Sequence, residues 1–358
     1  MIETANRQPS NDDFILGFSA DLVLADGSPI FGDVADRYLA TYPHVRTHWM
    51  QEHLPEISAK QLRPLHAAIV GGGRVTTQSL EGCEHLLAIA RLGVGYDRVD
   101  IEACTDADVL VTITAGAVDR SMAEATLTWM LALSHNLRIK DQLVRTGQWA
   151  QGAMHHGVEL RSRTLGLVGV GRIAQQLLEL LRSFGMNPPI AFDPYLDPAK
   201  AASVGVKLVT LDEVMAQADF VSVHCPLTPQ TRNLIGAEQI ALMKPTAYLI
   251  NTARGGIVDE TALCRALKEN RIAGAALDCF DEEPLPGPPP LSEFDNALMA
   301  PHCIGWTHEM FRDMAEMACQ TVVDLAQGKA PHGMLNPQVL ERPGFIHKWQ
   351  RWGSPAKK

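Results

Sequence analysis

The stretch Leu165-Gly166-Leu167-Val168-Gly169-Val170-Gly171-Arg172-Ile173-Ala174 reads as a short apolar strand, a glycine-rich turn and the start of a helix. Gly169 permits the tight turn, and Gly171 lets the backbone approach a pyrophosphate that the free N–H groups of a helix N-terminus can bind. A second strand, Ile190–Phe192, delivers Asp193, 22 residues after Gly171, where an acid accepts hydrogen bonds from an adenosine ribose. The combination predicts a dinucleotide-binding unit, because a simple glycine turn does not explain an acid at that spacing.

Length and composition bound the class of protein. The 358 residues suggest two domains of ordinary size. A net charge of −10 and a pI near 5.7 argue against a nucleic-acid partner. No run approaches the ~18 apolar residues of a membrane span, and Met1–Thr4 do not begin a signal segment. The seven cysteines are scattered without a C-x-x-C pair, which predicts reduced thiols in a cytoplasmic protein and no metal site.

Short apolar strands alternate with helical segments along the chain, which predicts an α/β fold with doubly wound parallel sheets. In the first part the predicted strands are Phe14–Phe18, Ala67–Val70, Leu86–Arg91 and Val109–Ile113. In the second part they are Leu165–Val168, Ile190–Phe192, Phe220–His224, Ala247–Ile250, Ala273–Leu277 and Leu298–Ala300. Ligands of such sheets bind beyond the carboxyl ends of the strands.

Capping signals place the main helices. Ser121 and Glu124 form a capping-box pattern before a helix predicted to run to Thr146, and its apolar faces predict burial or a subunit contact, hence a homodimer. Four other helices are predicted. One continues from the glycine turn through Gln175 to Phe184, and one begins at a second capping box over Thr210–Glu213. The other two span about Asp259–Glu269 and Thr307–Gln327.

These elements predict a discontinuous arrangement of domains. Residues 1–115 are expected to form the first part of a substrate domain, 116–307 a dinucleotide-binding Rossmann domain, and 308–340 the return to the substrate domain. Residues 341–358 are basic and polar and are expected to form a C-terminal tail with no assigned task.

Three ionisable residues fall at predicted strand ends of the second domain: Arg254, Glu283 and His302. A redox enzyme acting on an alcohol or ketone needs a proton donor and acceptor, for which histidine is suited, and arginine can hold an acid substrate bidentately. Each residue also has a simpler interpretation as a turn arginine, a solvated loop acid or a structural histidine. The triple glycine Gly71-Gly72-Gly73 likewise predicts either bare N–H groups facing a ligand or a flexible turn.

Several segments resemble the D-isomer-specific 2-hydroxyacid dehydrogenase family, and the resemblance extends from about Ala67 to Leu335. Residues 91–100, Arg-Leu-Gly-Val-Gly-Tyr-Asp-Arg-Val-Asp, resemble the family's substrate loop, and Met122-Ala123-Glu124 its crossover-helix start. Residues 224–231 and 251–259 are similar to its two most recognisable signatures.

The resemblance implies two Rossmann-like domains with the active site in the interdomain cleft, NAD as cofactor and a small 2-oxo or 2-hydroxy acid as substrate. The implied catalytic residues are Arg254, Glu283 and His302. The backbone around Val94 and Gly95, with Gly72 and Gly73, is expected to bind the substrate carboxylate together with Arg254. The expected cofactor-binding residues are Gly169, Gly171, Arg172, Ile173, Asp193, Cys225, Pro226, Thr231, Ala253 and Asp278.

The chain departs from the family pattern at the entrance to the crossover, where Ile113-Thr114-Ala115 stand in place of Asn-x-Pro. Glu283 argues against the formate-oxidising branch, which carries glutamine there. One alternative function stays open at this point. The same family includes C-terminal binding proteins, NAD-sensing regulators that can retain all three catalytic residues, so the trio does not by itself distinguish an enzyme from a binding protein.

Overall fold

The computed structural model describes residues 13–352, so Met1–Thr4 and residues 353–358 lie outside the described part. The described chain divides into two compact units. Unit 1 comprises residues 13–118 and 307–352, and unit 2 comprises Asp119–Trp306. Along the described residues, no helix combines the length and the apolar character that crossing a membrane requires.

The strands are β1 Phe14–Phe18, β2 Val45–Trp49, β3 Ala67–Val70, β4 Ala88–Arg91, β5 Leu110–Ile113, β6 Leu165–Val168, β7 Ile190–Phe192, β8 Lys207–Leu208, β9 Phe220–Val223, β10 Tyr248–Asn251, β11 Gly274–Leu277 and β12 Ala297–Met299. The α-helices are α1 Val34–Leu39, α2 Ala59–Leu62, α3 Ile101–Asp106, α4 Asp119–Ser134, α5 Leu137–Arg145, α6 Arg172–Leu181, α7 Pro198–Ser203, α8 Leu211–Gln217, α9 Ala237–Leu242, α10 Glu260–Lys268, α11 His308–Ala326 and α12 Pro343–Trp349. Short 3₁₀ segments cover Ala20–Leu22, Gln78–Leu80, Trp149–Met154, Pro290–Glu293 and Pro337–Glu341.

Each unit is built on one parallel sheet, as the alternating pattern predicts. Unit 1 has five strands in the order β2-β1-β3-β4-β5, and unit 2 has seven in the order β12-β11-β10-β9-β6-β7-β8. The order in unit 2 is that of a doubly wound dinucleotide-binding fold, and it reverses direction between β6 and β9. In unit 1 the reversal lies between β1 and β3. The two-domain Rossmann-like class is therefore confirmed.

The core of unit 2 lies on both faces of its sheet, which explains why its strands are apolar throughout. One face packs Val221, Leu249 and Leu277 against the helices α8, α9 and α10. The other face packs Leu167 and Ile250 against α4 and α6. Alternate residues of one strand point to opposite faces, so both cores draw on the same short strands.

The predicted helix from Ser121 to Thr146 is wrong in its start and its continuity. Helix α4 begins at Asp119, so Ser121 lies within its first turn. It ends at Ser134, and α5 begins only after Asn136, whose φ of 53° is left-handed. The apolar faces of α4 are covered inside unit 2, where Trp129 and Met130 are buried. This helix therefore offers no support for a subunit contact.

The predicted C-terminal tail is also corrected, because residues 341–352 are packed on unit 1. Helix α12 buries Phe345 completely, and the indole Nε1 of Trp349 donates to the Leu325 carbonyl at 2.8 Å. The ammonium of Lys348 donates to the Ala107 carbonyl at 2.8 Å. Arg342 forms an ion pair with Asp108. This segment is a structural part of unit 1.

Candidate active site

The glycine turn of unit 2 has the geometry that a dinucleotide requires. Gly169 has a φ of +93°, and a Cβ there would lie 3.0 Å from the backbone of His224 and Cys225. The turn therefore accepts only glycine at this position. The turn follows β6, at the point between β6 and β9 where the strand order reverses. Open α/β sheets bind their ligands at this position.

Open space lies over the N-terminus of α6. Gly171 is the N-cap residue of this helix of 10 residues, and a Cβ on Gly171 would meet no atom within 4 Å. Arg172 and Ile173 form the first turn, and the Arg172 Nε lies 2.7 Å from Oδ2 of Asp119. Room and free backbone N–H groups at a helix N-terminus fit a pyrophosphate.

Asp193 is held beside this turn at the end of β7. Its Oδ2 accepts a hydrogen bond from the Val170 N–H at 2.9 Å, and its Oδ1 accepts one from the Tyr195 N–H at 3.0 Å. These bonds fix the carboxylate next to the glycine turn. Each oxygen keeps further acceptor capacity, so the residue fits a ribose of NAD.

Residues 224–231 form the loop after β9, which lies at the same edge of the sheet as the glycine turn. The Thr231 hydroxyl donates to the Pro226 carbonyl at 2.7 Å and accepts from the Thr228 N–H at 2.7 Å, so it shapes the loop that was expected to contact the cofactor. Burial lowers the pKa of His224 to about 4 and raises the pKa of the Cys225 thiol to about 11. Both side chains are therefore neutral near pH 7.

Arg254 follows β10 in a turn that Asn251 organises, and no role for Asn251 was predicted from the sequence. The buried Asn251 side chain donates from Nδ2 to the Arg254 carbonyl at 2.8 Å and accepts from the Ala253 N–H at 3.0 Å. The next residue, Gly255, packs directly on the loop after β11. A Cβ on Gly255 would lie 1.9 Å from the Phe280 carbonyl oxygen. The glycine therefore allows the Arg254 turn to lie against the loop that carries Glu283.

Glu283 and His302 form a hydrogen-bonded pair. Nδ1 of His302 lies 2.8 Å from Oε2 of Glu283, and the other carboxylate oxygen accepts from the Phe280 N–H at 2.9 Å. Burial by itself raises the pKa of Glu283, but the bonds to His302 and Phe280 and the charges of His302 and Arg254 outweigh it, so this pKa is lowered. Glu283 is therefore an ionised partner for the imidazole near pH 7.

Asp278 holds the His302 loop in place. Its Oδ1 accepts from the Cys303 N–H at 2.9 Å and from the Ile304 N–H at 3.0 Å. These bonds fix the chain directly after His302, whose φ of 54° lies in the left-handed region. Burial raises the pKa of Asp278 to about 6, against the opposing effect of those two N–H groups and of His302. The residue expected at the cofactor thus has a clear positioning role, which its place at a strand end did not reveal.

The expected carboxylate-binding residues belong to unit 1. Val94 and Gly95 follow β4, and Gly72 and Gly73 follow β3. Bare N–H groups were one interpretation of the triple glycine, but the Gly71 N–H donates to the Ser19 hydroxyl at 2.9 Å and the Gly72 N–H donates to Asp21. An internal acceptor already occupies the Gly72 N–H, which is therefore a poor candidate for the substrate carboxylate.

The structure thus brings Arg254, Glu283 and His302 together at the carboxyl edge of the unit 2 sheet, where the glycine turn also lies. Within residues 13–352, no group of three or more histidine, cysteine, aspartate or glutamate side chains is arranged to hold a metal ion. The chemistry of this edge is that of a proton donor, a carboxylate partner and a cation beside a dinucleotide fold.

Known proteins share both the sequence and the fold. The family described as D-isomer specific 2-hydroxyacid dehydrogenase, NAD binding domain, matches residues 127–303. The chain is 42% identical over 275 residues to the D-3-phosphoglycerate dehydrogenase of Methanocaldococcus jannaschii, an alignment that covers 76% of this chain and about half (51%) of that protein. It is 39% identical over 280 residues to the glyoxylate reductase of Aeropyrum pernix, covering 76% of this chain and 83% of that protein.

A solved structure supports the same assignment. The D-lactate dehydrogenase of Aquifex aeolicus, complexed with NAD and lactic acid, superposes with a TM-score of 0.75 at 26% identity, covering 86% of this chain and 94% of that one. In this chain the glycine turn and the acid at the end of β7 fit a dinucleotide, and the histidine–glutamate pair lies at the same edge of the sheet. The chain belongs to the D-isomer-specific 2-hydroxyacid dehydrogenase family and is an NAD-dependent oxidoreductase of that class.

Proposed function

We propose that this enzyme interconverts a small 2-oxo acid and its D-2-hydroxy acid, with His302 as the proton donor for reduction. The observation that carries the proposal is the 2.8 Å contact between His302 Nδ1 and Glu283 Oε2, next to Arg254. A carboxylate on Nδ1 orients the ring and stabilises its charged form. It also leaves Nε2 as the ring nitrogen that can reach a substrate oxygen.

The remaining roles follow from charge and position. Bound NADH supplies the hydride that C2 of the 2-oxo acid receives. His302 gives its proton to the carbonyl oxygen, so that a C–H and an O–H bond replace the carbonyl π bond. Arg254 pairs with the substrate carboxylate and polarises the carbonyl. The backbone of Val94 and Gly95, with Gly73, completes the carboxylate site in this proposal.

The cofactor is assigned to residues whose geometry fits it. Gly169 and Gly171 give access to the N-terminus of α6 for the pyrophosphate, with Arg172 and Ile173 in the first helical turn. Asp193 accepts from the ribose hydroxyls. The loops that carry Cys225, Pro226, Ala253 and Asp278 lie at the carboxyl ends of β9, β10 and β11 and are assigned to the nicotinamide half.

We assign the protein to the cytoplasm and to a homodimer as parts of the same proposal. All seven cysteines, which lie within the described residues, are free thiols, as is usual in a reducing compartment. The dimer rests on a surface different from the buried helix α4. Four large apolar side chains on α5 and the 3₁₀ segment after it are exposed: Leu137, Val144, Trp149 and Met154. Large exposed apolar patches commonly mark an interface, and we take these four side chains to form one.

The alternative of an NAD-sensing regulator without turnover has no support from these relatives, which are dehydrogenases and a reductase. A turnover assay tests the proposal directly. Purified protein is given NADH and a panel containing glyoxylate, pyruvate, hydroxypyruvate and 3-phosphohydroxypyruvate, and NADH oxidation is followed by absorbance. We expect turnover with at least one member of the panel, and we expect His302→Ala to lower kcat for that substrate by about 10²–10⁴-fold. NADH binding without turnover of any 2-oxo acid would favour the regulator.

A further inference from the structure

A polar depression in unit 1 lies at the carboxyl ends of β1, β2 and β3. Its lining residues include Ser19, Asp21, Glu52, His53, Gln61 and Gly73, beside four apolar residues. Two of the lining residues are acidic, and none of the lysine or arginine residues of the described chain is among them. The depression is next to the reversal between β1 and β3, the position where parallel sheets bind ligands.

Asp21 connects this depression to the glycine loop after β3. The Gly72 N–H donates to Oδ2 of Asp21, and the Gly72 carbonyl accepts from Arg98 Nη1 at 3.0 Å. A Cβ on Gly71 would lie 2.1 Å from the same carboxylate oxygen, so the loop and the acid are in direct contact. Arg98 is exposed and does not line the depression, so solvent screens its charge more than that of the half-buried Asp21.

The position of Asp21 relates it to the substrate if the proposed function holds. The Val94–Gly95 loop follows β4, and β4 pairs directly with β3, with Arg91 opposite Val70 at the strand ends. A substrate carboxylate anchored at Val94 and Gly95 therefore has the Gly71–Gly73 loop and Asp21 beside it. We place the substituent on C2 of that substrate on the side of the loop that carries the Asp21 carboxylate.

We propose that Asp21 is a specificity-determining residue that selects 2-oxo acids with a hydroxyl-bearing substituent and rejects those with a phosphate. A hydroxyl can donate a hydrogen bond to a carboxylate, whereas a phosphate dianion is repelled by it in a partly desolvated place. The relatives include both D-3-phosphoglycerate dehydrogenases and glyoxylate reductases. On this argument, the enzyme does not act on the phosphorylated substrate type.

The test compares hydroxypyruvate with 3-phosphohydroxypyruvate, which share a carbon skeleton and differ by the phosphate. Asp21→Asn keeps an acceptor for the Gly72 N–H and removes the charge. The matched control is Asp26→Asn. Asp26 is an exposed acid in the same region that accepts a hydrogen bond from Ser28, so this variant removes the same charge outside the depression. kcat and KM are measured for both substrates at low and high salt, and thermal melting confirms folding.

We expect the wild type to prefer hydroxypyruvate by about tenfold or more in kcat/KM, a preference that shrinks as salt screens the repulsion. Asp21→Asn should reduce the preference about tenfold, through KM for the phosphorylated substrate, while Asp26→Asn leaves it unchanged. Equal use of both substrates by the wild type, or an unchanged preference in a folded Asp21→Asn, overturns the role of Asp21 and leaves the proposed reaction intact. If Asp21→Asn does not fold, the wild-type preference for hydroxypyruvate and its decrease with salt still test the proposed rejection of phosphate. Absence of turnover with either substrate and with the rest of the panel counts instead against the proposed reaction.

Discussion

Nδ1 of His302 lies 2.8 Å from Oε2 of Glu283, and further hydrogen bonds from groups that do not take part in proton transfer hold both residues in place. The Phe280 N–H holds the second oxygen of Glu283, and Asp278 holds the two N–H groups that follow His302. The pair is therefore pre-organised by its own loops, which is how a scaffold reduces the cost of orienting an acid–base group.

Gly255→Ala should damage the active site without touching an ionisable group. The new Cβ would lie 1.9 Å from the Phe280 carbonyl oxygen, so the Arg254 turn must move away from the Glu283 loop. We expect a loss of about 1–3 kcal/mol in the free energy of unfolding from overpacking. A misplacement of about 1 Å can cost roughly 100-fold in rate, so kcat should fall steeply. The control is Gly287→Ala, whose Cβ meets nothing within 4 Å. Equal melting temperatures and rates for the two variants would disprove the packing argument.

Asp193 should set the preference for NADH over NADPH. Its carboxylate repels the 2′-phosphate of NADPH, and Pro194–Asp197 provide no arginine to bind that phosphate. We expect kcat/KM to favour NADH by at least about tenfold, equivalent to ~1.4 kcal/mol, and Asp193→Asn to narrow the ratio. Asp197→Asn, which removes a charge at the N-cap of α7, should leave it unchanged. Equal use of NADPH by the wild type would contradict the assignment.

Asp278 should make stability fall as pH rises from about 4 to about 6. Its pKa is raised to about 6 in the fold, chiefly by burial, so the folded state holds a proton that the unfolded chain releases at lower pH. The stabilisation from this proton is complete below the pKa of the unfolded chain and is lost as pH rises through the folded value, a change of about 3 kcal/mol. Urea unfolding of the wild type and Asp278→Asn should show this decline only in the wild type. The same pH dependence of the free energy of unfolding in both proteins would refute this role of Asp278.

The exposed apolar segment should hold the dimer together. Trp149 is 81% exposed and Met154 69% exposed in the single chain. Light scattering should give a mass twice the 39.1 kDa of one chain, and Trp149→Glu should reduce it to one chain. Leu24→Glu changes an exposed apolar residue in unit 1 and should leave the mass unchanged. A wild-type monomer at micromolar concentration would exclude this assembly.

The sequence predicted the elements whose determinants are local. β1, β3, β6 and β7 have the predicted bounds, and Thr210 forms the capping box expected from its spacing to Glu213. β2 was missed because Val45-Arg46-Thr47-His48-Trp49 is an edge strand with few apolar residues. Helix α12 was missed because its contacts are distant in sequence, such as Lys348 to Ala107.

In the candidate site, too, the sequence predicted what depends on neighbouring residues and missed what depends on distant contacts. The glycine turn and Asp193 follow from spacing, since the strand, turn and helix are consecutive in the chain. The contact of Glu283 with His302 depends on two loops that only the sheet brings together, so the sequence could nominate the residues without their geometry. The roles of Asn251 and Gly255 appear only from packing, although the pattern Asn-x-x-Arg-Gly-Gly was a visible signal of a built turn.

The most direct test of the account is the pH dependence of kcat in both directions for the wild type, His302→Ala and Glu283→Gln, with NADH binding followed by fluorescence. Reduction of the 2-oxo acid consumes a proton, so its rate should be flat at low pH and fall as pH rises, and oxidation should show the opposite trend. Glu283→Gln removes the carboxylate whose own pKa is lowered by its bond to His302, so the break in the reduction profile should move to lower pH. His302→Ala should lose about 10²–10⁴-fold in kcat with little change in NADH affinity. Near-normal turnover of His302→Ala, or an unmoved break in Glu283→Gln, would contradict the assigned roles.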